Sequence, residues 1–480
     1  MMVQISFPGT ESVDLAVEGV EQSSLWTGEG WWLALHRGPE GASRRFGLGI
    51  SYASQEEAEE RARSAFTASL EETTQARLAF YAALSIPEGV TDNHRRAYYK
   101  AASVQKVNVE SPQLDMPCRW TTPDRMPHRH MWLWDSAFHS LGLQYHSLDL
   151  AEDALRALFA KQREDGKLSL AAQPGGPPPE GEDTQPPVVA WSLCRQNERV
   201  MRPDFIAEVY PKLVTYIEWF ERNRKRENGL YGWRVRPTDD PIRAARGGES
   251  GMDNSPRFDN VTTMTAVDLS SYMASEYYSM EKLARCLDKV ADAAEWRDRR
   301  LRIADLINEL LWDDQERFYF DLDEHGEMLP LKTCAGFTPL VGQAPDRDRA
   351  ESLRMHLMNP SEFWTPFPVP SVSRKEPSFS KDMWRGPTWP NMNVLLYYGL
   401  MTYGFFQEAR ELAGVTVREI TRFYMKTGSF FEFYDAMGET SPPDLPRKGA
   451  PGEKGGVGFG VVPDLHWTAA TYVHLTHELY

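Results

Sequence analysis

From about residue 92 onward, apolar residues recur at spacings of three and four, separated by stretches rich in Pro, Gly and Trp. That period places apolar side chains on one face of a helix. It predicts helices near 93–109, 136–147, 150–163, 187–199, 204–225, 266–287, 290–312, 346–358, 391–403, 406–426 and 467–479. Leu301, Ala304, Leu306, Ile307, Leu310 and Leu311 are expected to form one buried face, and Tyr210, Leu213, Val214, Ile217 and Phe220 another. Residues 1–52 read differently. GWWLALHRG and RRFGLGISY are short apolar runs split by Gly, Pro and Glu, as in a β-hairpin. Ser54-Gln55-Glu56-Glu57 then fits a capping box. It opens one long helix to about Leu84, which Ile86-Pro87-Glu88-Gly89 stops. The one further strand pair expected is Arg317–Asp321 with the segment after Gly326.

The expected organisation is therefore mainly α: a small β-rich N-terminal segment (1–52), a helical linker (53–90) and a helical domain (91–480). A chain of helix–loop–helix units suits a closed ring of helical hairpins, with long loops gathered at one end around a pocket. Two loops stand out, Gln173–Pro187 and Thr440–Asp464, both rich in Pro and Gly. Loops of that length inside a domain are commonly functional.

Composition narrows the partners. The chain has 480 residues, 41 % of them hydrophobic, which is enough for a large core. A net charge of -16 argues against nucleic acid, whose phosphates need a basic face, and against an anionic membrane surface. No apolar run is long enough to span a bilayer. The N-terminus lacks a signal-peptide pattern, and Cys118, Cys194, Cys286 and Cys334 are too scattered for a metal motif or a disulfide framework. Reduced thiols in a cytoplasmic protein are expected.

The candidate chemistry lies in four clusters. HRHMWLWDSAFH (His128–His139) packs His, Trp and Asp ahead of a helix. His128, His130 and His139 do not have zinc-site spacing, and Asp135 is open to two readings, a helix cap or a sugar contact. Trp faces stack on the C–H face of a pyranose while a carboxylate accepts from its hydroxyls, so Trp132, Trp134 and Asp135 are candidate sugar contacts. RGGESGMDNSPRFD carries Glu249, Asp253 and Asp259 beside Arg257, in residues that also make ordinary turns. KDMWRGPTWPNMN supplies Trp384, Arg385 and Trp389 around two prolines, as a rigid wall. SFFEFYDAMGET sets Glu432 among aromatics, either in apolar surroundings or facing solvent from a short strand. Asp321, Asp323 and Glu327 around Gly326 lack full calcium-loop spacing and read as a hairpin tip. No nucleotide, flavin or metalloprotease motif is present, and no cofactor or metal is expected.

WLWDSAFH, ESGMDNSPRF, WRGPTWPNMN and FEFYDAMGE, in this order, resemble the blocks of glycoside hydrolase family 63. That family includes processing α-glucosidases and mannosylglycerate and glucosylglycerate hydrolases, and it shares a clan with trehalase. The resemblance spans roughly residues 93–480. It implies an (α/α)6 barrel and inverting hydrolysis of a terminal α-linked glucose or mannose. By this resemblance the general acid falls on Asp253 and the general base on Glu432. Trp134 and Asp135 fall where the sugar is gripped, and Gln185, Arg257, Trp384 and Trp389 at or near sugar contacts. As acid, Asp253 must hold a proton where an isolated aspartate, at about 3.9, has lost it. Glu249 and the apolar wall are expected to favour that state. Two other classes fit the same blocks: a non-catalytic carbohydrate-binding protein, and an inverting phosphorylase using phosphate in place of water. The Pro/Gly-rich stretch 440–464 departs from the family's usual short return to the terminal helix, here entered at Trp467-Thr468-Ala469.

Overall fold

The computed structural model describes residues 2–6, 12–16, 23–28, 31–37, 46–51, 53–176, 183–237, 246–449 and 460–480. Residues 177–182 and 450–459, within the two long loops read from the sequence, lie outside the described residues. The chain divides into two compact units: Met1–Leu84 with Ser111–Cys118 and Gln173–Pro177, and the remainder, Ser85–Glu110, Arg119–Ala172 and Pro178–Tyr480.

In the first unit, β1 (Met2–Ser6) pairs antiparallel with β2 (Ser12–Ala16). β3 (Ser23–Gly28), β4 (Trp31–Arg37) and β5 (Phe46–Ser51) form an antiparallel sheet in that order. Two helices follow, α1 (Gln55–Thr67) and α2 (Leu70–Ala82), where the sequence predicted one. Each has its own serine cap: Ser54 accepts from the Glu57 N–H and Ser69 from the Glu72 N–H. Ala68 leaves the helix at ψ 133°, so the second capping serine divides what the apolar pattern left continuous. Helix α1 lies against β5 through small residues. A Cβ added at Gly49 would stand 1.9 Å from the Ala58 carbonyl oxygen, so only glycine admits the helix at this distance.

The second unit is helical: α3 (Asp92–Val107), α4 (Leu133–Leu143), α5 (Leu148–Ala160), α6 (Val189–Arg199), α7 (Pro203–Asn223), α8 (Val267–Cys286), α9 (Val290–Leu310), α10 (Pro339–Gly342), α11 (Arg347–Leu357), α12 (Pro390–Thr402), α13 (Phe406–Thr427) and α14 (His466–Leu479). All but the four-residue α10 were foreshadowed by the periodicity. Along α7, Tyr210, Leu213, Ile217 and Phe220 are buried as the spacing required. On α9 the stripe is shifted: Ile303, Ala304 and Ile307 are buried, whereas Leu301 is exposed. The strand pair near Gly326 is Asp321–Leu322 with Met328–Leu329, and Asp323 accepts turn N–H groups from His325 and Glu327.

Helix neighbours follow an order. α4 packs on α6, α6 on α8, α8 on α10, α10 on α12, α12 on α14, and α14 on α4. α5, α9, α13 and α3 pack respectively on α4, α8, α12 and α14. Buried carboxylates fasten the junctions. Glu276 of α8 accepts from the Ala190 and Trp191 N–H groups at the start of α6, two donors the helix itself leaves unpaired. Burial pushes the Glu276 carboxyl up to about 7.

Candidate active site

The segments entering α4, α6, α8, α12 and α14 each carry residues that line one cavity of about 160 Å³. Its wall includes His128, Trp132, Trp134, Asp135, Gln185, Asp253, Trp384, Trp389, Glu432, Arg447, Lys448 and Trp467. Eight of the residues singled out in the sequence are thus brought together from positions 132 to 432: both candidate catalytic carboxylates, four tryptophans, Asp135 and Gln185.

The Asp253 loop is held from two sides. Gly251 lies at φ +74°, and a Cβ there would fall 2.4 Å from the Trp134 ring, so the loop crosses that indole only with glycine. On the other side Asn254 Oδ1 accepts the Trp384 N–H at 2.9 Å. Arg385 reaches the Asn254 carbonyl and forks onto Asp259 at 2.9 and 2.7 Å. The aromatic wall and the carboxylate loop are therefore one assembly. Trp384 and Trp389 stack with ring centroids 3.9 Å apart and planes 6° apart. Trp467 stands edge-on to both Trp134 and Trp389. Gln185 Oε1 accepts the Trp134 N–H at 3.1 Å.

Glu432 lies between Thr388 and the segment entering α14. Its N–H donates to the Val462 carbonyl, and Tyr434 exchanges two backbone bonds with Thr388. The side chain is buried at the cavity, not facing solvent from a strand. Arg447 donates Nε to Oε2 at 2.7 Å and Nη2 to Oε1 at 2.9 Å. Burial pushes the Glu432 carboxyl up, but the guanidinium charge and its two bonds outweigh burial and hold it below the ordinary glutamate value. Arg447 Nη2 also lies 3.4 Å from His128 Nε2, and His128 Nδ1 lies 2.6 Å from Asp124. Lys448 Nζ is in contact with Asp253 Oδ2.

Asp135 caps nothing. It sits in the first turn of α4, whose cap residue is Trp132, and its carboxyl is pushed up to about 7 by burial. Three further sequence candidates stand outside the cavity wall. Glu249 is taken up by Arg224 and by the Thr184 and Arg234 N–H groups. Arg257 closes a buried cluster, with two bonds to Asp268 at 2.6 and 2.8 Å and two to Asp321 at 2.7 Å. Arg385 is the clamp on Asp259 described above. Each lies within four residues of a cavity residue in sequence, but its side chain turns to a partner of opposite charge or to backbone donors and acceptors. The histidines of the first cluster also separate. His139 stacks on His466 at 3.7 Å, and burial pushes both imidazoles down, whereas His128 faces the cavity.

Sequence reasoning missed Arg447 and Lys448, which sit in a stretch readable only as loop. It also left out His128 and Trp467 as contacts, although both stood in quoted blocks. The indole N–H groups of Trp132, Trp384 and Trp467 have no hydrogen-bond partner among the described residues. Buried donors without partners are uncommon, and here they belong to residues of a cavity wall. Stacked aromatic faces, open donors and carboxylates around a small volume are the surroundings a pyranose needs.

Relatives of known activity are glycoside hydrolases. Residues 128–441 match the model of the mannosylglycerate hydrolase MGH1-like glycoside hydrolase domain. An uncharacterised protein of Borreliella burgdorferi is 31 % identical over 236 residues, 49 % of this chain and 46 % of that protein. A mannosylglycerate hydrolase of Thermus thermophilus is 27 % identical over 414 residues, 68 % of this chain and 94 % of that protein. The crystal structure of a GH63 mannosylglycerate hydrolase from Thermus thermophilus in complex with glucose superposes with a TM-score of 0.62 at 25 % identity, over 79 % of this chain and 99 % of that one. The chain belongs to the mannosylglycerate hydrolase MGH1-like domain family, within glycoside hydrolase family 63, and is an inverting glycoside hydrolase.

Proposed function

We propose that Asp253 is the general acid and Glu432 the general base in hydrolysis of a small glycoside with a terminal α-linked glucose or mannose. The observation that carries this reading is the meeting of two carboxylates, from loops far apart in sequence, at one tryptophan-walled cavity. Asp253 gives its proton to the glycosidic oxygen. Glu432, kept ionised by Arg447, takes a proton from a water that attacks the opposite face of the anomeric carbon. Trp134, Gln185, Asp135 and the Trp384–Trp389 pair hold the sugar. Asp135, poised near neutrality, both donates and accepts. The cavity volume of about 160 Å³ is below the roughly 300–1,000 Å³ of drug-sized pockets, which favours a short substrate such as a glycosylglycerate over a long oligosaccharide.

The cycle of neighbours α4–α6–α8–α10–α12–α14 supports an (α/α)6 barrel for residues 91–480, while α1 and α2 belong with the N-terminal strands to the other unit. Among the described residues no helix is long and apolar enough to cross a membrane. The test is release of free sugar from a panel of α-glucosides and α-mannosides, including the two glycerate derivatives, with the first-formed anomer followed by NMR. β-Sugar at first appearance is the expected result. An initial α-anomer, or a rate that requires inorganic phosphate, overturns the reading.

A further inference from the structure

The residues on the catalytic carboxylates come from one place. Arg447 and Lys448 are adjacent in the loop that follows the base, beyond the segment matched by the family model. Asp382 fixes their backbone: its two carboxylate oxygens accept the Lys448 N–H at 2.7 Å and the Gly449 N–H at 2.9 Å. The start of the same loop is held by Lys381, which donates to Asp435 at 3.1 Å and to Thr440 at 2.8 Å. Lys448 lies at φ +56°, a left-handed conformation that non-glycine residues adopt where surrounding contacts impose it.

The two cations make different contacts. Arg447 grips Glu432 with a planar fork at both oxygens, and the Glu432 side chain is only 7 % exposed. Lys448 touches Asp253 with one ammonium on a flexible stem, and that carboxylate is 22 % exposed. A fork fixes orientation, whereas an ammonium is a movable point charge. The roles assigned to the carboxylates are also opposite. A base must be ionised, and a guanidinium favours that. An acid must be protonated, and a neighbouring ammonium opposes it.

We propose that Arg447 is a positioning residue that keeps Glu432 oriented and charged through turnover, while Lys448 is ion-paired to Asp253 in the free enzyme and is displaced by the arriving glycoside. The proposal rests on the acid and base roles given above. When the ammonium leaves, Asp253 takes one proton from solvent, and that is the proton passed to the leaving oxygen. Among the described residues, the charged and titratable groups near Glu432 include Arg447, Lys448, His128 and Asp135, with Asp124 beside His128, and those near Asp253 include Lys448 and Arg447.

The experiment is the pH profile of kcat/KM on the best-cleaved glycoside of the panel, for the full-length wild type and the variants Arg447→Met, Arg447→Lys and Lys448→Met, with thermal unfolding confirming each fold. Because kcat/KM reports the free enzyme, its acid limb follows the base and its alkaline limb the acid. Lys448→Met should move the alkaline limb up by about one pH unit and widen the profile. Arg447→Met should move the acid limb up by about one unit or more, narrow the profile and lower kcat, with partial recovery in Arg447→Lys. A uniform loss of rate with both limbs in place, or an alkaline limb unmoved in Lys448→Met, overturns the proposal. Asp253→Asn separates the two levels: if it still hydrolyses glycosides, the acid assignment itself is wrong; if it is inactive while Lys448→Met moves nothing, only the Lys448 role falls.

Discussion

Two arginines of this enzyme grip carboxylates with forked hydrogen bonds in the interior, and they do different things. Arg257 is enclosed by Asp268 and Asp321, with Trp233 donating to Asp268 and the Val267 N–H to Asp321. That cluster is satisfied by the protein itself and joins the Asp253 loop to the start of α8. Arg447 grips Glu432 beside open space, in a wall that also holds indole donors without partners. A buried ion pair closed on itself is architecture, whereas the same pair facing a cavity leaves lone pairs for water and sugar. Arg257 stands in a motif block and Arg447 in a stretch that reads as filler, so sequence context alone ranks them in the wrong order.

The sharpest way to break this comparison is at the open pair. Glu432→Gln and Asp253→Asn should each lower turnover by about 10²-fold to 10⁴-fold, with Asp253→Asn leaving the unfolding temperature within a few degrees, checked by initial rates and thermal melts. The closed cluster should respond in the other quantity. Arg257→Met leaves two buried aspartates facing each other and should cost about 3–5 kcal/mol, read from denaturant unfolding. Gly251→Ala lies between them: a left-handed alanine against the Trp134 ring should cost about 1–3 kcal/mol, read from denaturant unfolding. The remaining effect is a slope. Asp135 sits at about 7 in the folded chain against 3.8 unperturbed, so the folded state holds more protons between those values and stability falls as pH rises through that window. Asp135→Asn should remove that fall in melts taken across the window. Glu432, held low, contributes in the opposite sense: its stabilisation is present above the ordinary carboxylate range and is lost as pH falls.

Much of this molecule is legible from its sequence, for identifiable reasons. Long helices follow the apolar period, and Phe220 or Ile217 has nowhere to go but inward. The two candidate carboxylates were legible through the resemblance of four ordered blocks to glycoside hydrolase family 63, and the aromatic walls through tryptophans clustered with prolines and carboxylates. The misreadings have a common origin. Glu249, Arg257 and Arg385 belong to the same short blocks as cavity residues, but in a tight turn neighbouring side chains leave in different directions, and only tertiary partners decide which. The break at Ser69 depends on a local cap overriding a continuous pattern. Arg447 and Lys448 had no pattern to be read by, because their position is fixed by Asp382, more than 60 residues earlier.

The stacked Trp384–Trp389 pair, with Trp134 and Trp467 beside it, also gives the enzyme an optical reporter. Most of the indoles at this cavity are packed within exciton-coupling distance of one another, and a bound glycoside displaces water from their edges. The tryptophan emission and near-ultraviolet dichroism of the unlabelled protein should therefore change with cavity occupancy, allowing substrates that are bound but not cleaved to be counted without a chemical readout.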